Sequence, residues 1–188
     1  NDIILLNLKF TSPVLINDLE LLTRPVSYLA VDYKFKDNKE HNVKIDVRVS
    51  EELCLDRACQ NDILQEDVSV GNLIGMRMGN AEQKPLHKSG DDIRIDWGYV
   101  YLLTNGKNAE TKTSDRHGRE YIHTVCEANE NEKTLFFFAY DDIESIEYFK
   151  KPLKSYWNRN GKTILEVVKE ASEDYENTLK RCNEFSEK

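Results

Sequence analysis

The chain has 188 residues, of which 26 are Lys or Arg and 34 are Asp or Glu, for a formal net charge of -8. That balance argues against sequence-independent nucleic-acid binding, which needs excess cations to displace counterions, and against electrostatic docking on anionic lipid. A chain of this length buries roughly 70% of its unfolded surface, so a core forms without metal or disulfide, and the longest apolar run, Leu135 to Tyr140, is far too short to span a bilayer.

The chain opens on Asn1-Asp2 and Ile3-Ile4-Leu5-Leu6, with no basic region or cleavage signature ahead of the apolar residues. Without an initiator Met, it is expected to be a piece of something larger. Ile4, Leu6, Leu8 and Phe10 alternate with Leu5, Asn7 and Lys9, the period of a strand. A second strand covers Tyr28 to Phe35, and a third, Val43 to Val49, alternates strictly with Lys44, Asp46 and Arg48. Asp37-Asn38-Lys39 carries turn chemistry and is predicted to close a hairpin between them. Cys54 and Cys59 are spaced for neither a redox nor a zinc motif, and a disulfide between them stays open. Cys126 and Cys182 read as small buried hydrophobes.

Gly71, Gly75 and Gly79 mark one bent strand. Ile93 to Leu103, Tyr121 to Glu127 and Thr134 to Tyr140 complete the set, and Asn105 to Gly118 reads as a polar loop, a solvated hairpin tip rather than a lid. The fold class is therefore mainly β: an antiparallel β-sandwich over residues 1–142 with a C-terminal amphipathic α-helix. Residues 143–162 connect the two. Thr163 and Glu166 form a capping box. Ile164, Val168, Ala171, Tyr175, Leu179 and Cys182 recur at helical spacing, predicting one helix to about Phe185, ~33 Å long. That helix, 163–188, reads as a linker toward an absent helical domain.

The densest cluster of functional groups runs from Gly90 to Tyr99. On a strand, Asp92, Arg94 and Asp96 would share one face, with the guanidinium bridging the carboxylates and lowering their pKa. A structural ladder outweighs the alternative, the paired carboxylates of a glycosidase. Trp97, Tyr99 and Tyr101 would share the other face, as core or, if exposed, as a platform for sugar rings. Asp141-Asp142 lacks the oxygen spacing of a calcium loop and reads as a cap. The four histidines, His41, His87, His117 and His123, fit no zinc motif. No phosphate loop, dinucleotide fingerprint, nucleophile elbow or nucleophile–base–orienter set stands out, so no metal, cofactor or catalytic residue is assigned.

Several segments resemble the N-terminal β-rich region of the glutaminase A family. These are Phe10-Thr11-Ser12-Pro13, Leu21 to Leu29 with Arg24-Pro25-Val26-Ser27-Tyr28-Leu29, and Asp91 to Tyr99, followed by Tyr140-Asp141-Asp142, Ile146 to Phe149 and Tyr156-Trp157. Order and spacing hold over nearly the whole chain; Ser50 to Cys54 stands where the family usually carries a Trp. The resemblance implies a secreted, periplasmic or envelope-associated parent that hydrolyses L-glutamine to L-glutamate and ammonia. It also implies a large α-helical domain following this one, where the chemistry would reside.

The expected role is thus a non-catalytic scaffold packed against that helical domain. Its candidate interface runs from Tyr148 to Trp157, including Tyr156, Pro152 and Lys150, Lys151 and Lys154, with Arg24 beside it. Arg94, Asp96 and Trp97 are further binding candidates. The competing readings are a carbohydrate-binding module using Trp97, Tyr99, Tyr101 and Trp157, and an independent enzyme using Asp92 and Asp96.

Overall fold

Alternation decides which strands are covered on one face and which on two. In the computed structural model, which describes residues 3–37, 39 and 41–187, the chain forms eleven strands and three α-helices among those residues. The strands are β1 (Ile4–Thr11), β2 (Val26–Phe35), β3 (Val43–Ser50), β4 (Ile63–Val70), β5 (Leu73–Asn80), β6 (Tyr99–Thr104), β7 (Lys107–Arg116), β8 (Arg119–Ala128), β9 (Thr134–Asp141), β10 (Ile146–Tyr148) and β11 (Lys151–Leu153). The helices are α1 (Leu19–Thr23), α2 (Ile164–Glu173) and α3 (Tyr175–Ser186). A six-stranded sheet runs β1-β2-β9-β6-β5-β4, a three-stranded sheet runs β3-β8-β7, and β10-β11 is a separate ribbon; every pairing is antiparallel.

The large sheet is sandwiched. One face packs on the small sheet through Leu29, Met78, Leu102, Phe136, Ile122 and Cys126. The other packs on α2 and α3 through Tyr28, Leu103, Phe137, Val168, Ala171 and Tyr175. This explains the unbroken run Leu135 to Tyr140: β9 is central and covered on both sides, so alternation disappears. Each fully buried aliphatic side chain here contributes about 1.5–3 kcal/mol.

The mainly β architecture with C-terminal helices holds, with several corrections. β2 and β3 do not form a hairpin; they lie in different sheets, β2 beside β1 and β9, β3 beside β8. Of the turn assigned to 37–39, Asn38 lies outside the described residues, while Asp37 Oδ1 accepts from the Lys39 N–H at 3.2 Å. The Gly71 to Gly79 strand begins only at Leu73, because Gly71 takes φ +59 in the turn from β4. β4, absent from the sequence reading, is its partner. At Gly75 a methyl group would run into the Leu102 carbonyl, so this glycine permits close backbone approach and marks no bulge. The polar segment read as a loop is edge strand β7, which turns at His117-Gly118 into β8.

The capping box is present: Thr163 Oγ1 accepts from the Glu166 N–H at 3.3 Å, and Glu166 accepts from the Thr163 N–H at 2.7 Å. The predicted single helix is two, broken at Asp174 (φ -99, ψ 7), whose side chain accepts from Thr178 Oγ1 at 2.9 Å. Its apolar stripe lies on the large sheet. Cys54, Cys59, Cys126 and Cys182 are all free thiols, with Cys54 and Cys126 buried.

Candidate functional site

The segment between β5 and β6 does not extend as a strand through Ile93 and Ile95. Asp92 takes φ +56, Arg94 is exposed, and the Arg94 backbone N–H donates to Asp56 Oδ1 at 3.0 Å. The expected Asp92–Arg94–Asp96 ladder is therefore not formed. Asp96 instead sits at 2% exposure beneath loops from two parts of the chain. His87 Nε2 lies 2.7 Å from Oδ1, Gln60 Nε2 donates to Oδ2 at 3.1 Å, and Lys88 pairs with the same oxygen. Burial pushes the Asp96 carboxyl up, but hydrogen bonds from Lys88, His87 and Gln60 outweigh it and hold the group below its ordinary range. A carboxylate so paired is a poor general acid. Its work is to tie residues 81–98 to the 51–62 loop.

The aromatic candidates separate by burial. Trp97 (6% exposed), Tyr101 and Trp157 (4% each) are core side chains. The Trp97 indole N–H donates to the Glu144 carbonyl at 3.1 Å, and Arg77 lies 4.6 Å over the half-buried Tyr99 ring. These rings form no exposed platform, so the carbohydrate reading loses the surface it needed. Tyr156 is exposed, with the Arg159 guanidinium 3.8 Å over its ring.

The segment from Tyr148 to Trp157 divides in two. Its first half belongs to the β10-β11 ribbon, which starts at Ile146 and in which all six strand residues are exposed. The turn residues Phe149 and Lys150 both take positive φ, 48° and 62°, a conformation that disfavours bulky side chains. That turn holds Phe149 at 82% exposure beside the Tyr148 ring. The second half turns inward at Trp157. There Trp157 and Arg24 line a cavity of about 330 Å³ together with Asp18, Asp174, Lys162 and Arg181. Arg24 Nη2 donates to Tyr28 Oη at 3.1 Å and Thr178 Oγ1 at 3.2 Å, whereas its buried Nε has no partner among the described residues.

One constellation escaped the sequence reading. Ser114 of β7, His123 of β8 and Asp46 of β3 meet on the outer face of the small sheet. Ser114 Oγ lies 2.7 Å from His123 Nε2, and His123 Nδ1 lies 2.8 Å from Asp46 Oδ1. Lys112 pairs with the other Asp46 oxygen at 2.7 Å. Burial works against the Asp46 charge, but the Lys112 and His123 hydrogen bonds prevail, and the carboxyl lies below its usual range. The sequence reading singled out no such hydroxyl–imidazole–carboxylate chain: its members come from three strands, one of which it read as a loop. Among the described residues, no three His, Cys, Asp or Glu side chains converge as a metal ion requires.

A search of curated proteins gives no match to this chain. The family described as "Domain of unknown function (DUF5127)" matches residues 2–122 and 120–188. With both segments together spanning nearly its whole length, the chain belongs to the DUF5127 family.

Proposed function

We propose that this domain is an accessory scaffold of a secreted or envelope-associated glutaminase-like hydrolase, docked against a neighbouring α-helical domain that houses glutamine hydrolysis. The observation that carries the docking is the β10-β11 ribbon. A two-stranded ribbon is marginal in water, yet this one presents Ile146, Tyr148, Phe149 and Leu153 to solvent on a strained turn. Strain at a non-glycine turn persists where it serves a site, and exposed aromatics beside lysines suit an interface anchor. The glutaminase assignment of the parent rests on the sequence resemblance.

Two assays test this reading. The separate domain, incubated with L-glutamine, is expected to release no ammonia above buffer; release by the domain alone overturns it. Phe149→Asp is expected to leave the unfolding midpoint of the separate domain unchanged and to lower that of a chain in which it is joined to the helical domain. Equal midpoints in the joined chain would remove the ribbon from the interface.

A further inference from the structure

We propose that Ser114, with His123 and Asp46 behind it, is a nucleophilic acyl-transfer site for small activated acyl esters, independent of the docking role. Of the three histidine–carboxylate pairs among the described residues, His41–Asp37, His87–Asp96 and His123–Asp46, only the last has a hydroxyl on the other ring nitrogen. The hydrogen bonds dictate the proton positions of the neutral ring. A carboxylate only accepts, so Nδ1 carries hydrogen toward Asp46, and Nε2 is left to accept from the Ser114 hydroxyl. That is the arrangement of a general base oriented by a carboxylate.

The sheet fixes these roles. β8 is the central strand of the three, and the His123 side chain is 5% exposed between the rows occupied by Arg48 and Lys112. Ser114 is half-buried on the edge strand, where an ester carbonyl can approach. The same edge supplies an oxyanion donor. The two-residue turn His117-Gly118 makes Arg116↔Arg119 the closing hydrogen-bonded pair, so Ser114↔Tyr121 is hydrogen-bonded and Asp115↔Glu120 is not. Accordingly the Glu120 N–H turns away from β7 and donates to Glu51 Oε2 at 3.2 Å. The Asp115 N–H therefore points off the free edge, one residue after the nucleophile, available to a developing oxyanion.

Ser114 Oγ bonds to the acyl carbon while its proton passes to His123 Nε2. The tetrahedral intermediate then breaks its bond to the leaving oxygen, which departs as the alcohol with the proton from Nε2, leaving acyl-Ser114. Water, deprotonated by the same nitrogen, releases the carboxylic acid and restores the hydroxyl. The site lies on an open sheet face, so reactivity follows the leaving group more than acyl-chain shape.

The test is labelling with an alkyl fluorophosphonate at mildly alkaline pH, located by peptide mass spectrometry. The expected result is one phosphonyl group on Ser114, with a second-order rate at least about 100-fold lower in His123→Gln. Asp46→Asn should also slow labelling, and Asp46→Glu should restore part of the loss, a pattern that a purely structural carboxylate would not give. Circular dichroism establishes that each variant is folded. An unlabelled Ser114 in the folded wild-type chain, or labelling at equal rates in folded wild type and His123→Gln, overturns the proposal. Should His123→Gln not fold, Asp46→Asn decides in the same way.

Discussion

Asp96 and Asp141 carry the same carboxyl group, and their surroundings shift it in opposite directions. Three donors surround Asp96 and keep it ionised under burial. Burial pushes the Asp141 carboxyl up, with one compensating bond from the Ile143 N–H at 3.0 Å and the like charge of Asp142 beside it. Asp96→Asn should therefore cost about 3 kcal/mol, at the low end for a broken buried pair because Lys88 still reaches Asp56. Asp141→Asn should be neutral or mildly stabilising. Urea unfolding at neutral pH checks both signs. The pH dependence follows. The folded pKa of Asp96 lies below the unfolded value of about 3.9, so its contribution is complete above that pH and fades as acid passes the folded pKa. The Asp141 contribution runs the other way, with stability gained as pH falls through its raised folded pKa.

Among the secondary-structure elements, local chemistry at the α2 start was fully legible. Thr163 and Glu166 satisfy each other's amides through contacts three residues apart. Thr163→Ala should cost about 1 kcal/mol and lower the melting temperature by roughly 2–4 °C, measurable by calorimetry. The β10-β11 turn predicts the reverse sign. Lys150 at φ 62 occupies a glycine conformation, so Lys150→Gly should raise stability of the separate domain by about 0.5–1 kcal/mol, read as a higher melting temperature. Illegible elements failed for physical reasons. β7 holds one aliphatic residue, Ala109, because an edge strand with half its surface in water needs little apolar side chain. Residues 92–96 carry perfect alternation, but Ile93 and Ile95 are exposed and no partner strand pairs there. Alternation reports which face a side chain takes and says nothing about which strand lies beside it. That is why β2 and β3 looked like a hairpin and why the Ser114–His123–Asp46 set was invisible.

Across the whole molecule, three layers enclose two cores, and the coverage stops short at one margin. Leu6, Leu8 and Phe10 of β1 sit opposite Tyr33, Val31 and Leu29, on the side of the large sheet that faces the small one, yet remain 51%, 62% and 65% exposed. Ile146, Tyr148 and Phe149 of the ribbon, 56%, 60% and 82% exposed, form a second apolar set in solvent. The docking proposal assigns the ribbon to a neighbouring helical domain. Hydrogen exchange of the 146–153 amides, compared between the separate domain and a chain in which it is joined to that domain, tests this most directly. The account predicts rapid exchange in the separate domain and slowing by at least about tenfold in the joined chain. Equal exchange in both would contradict it.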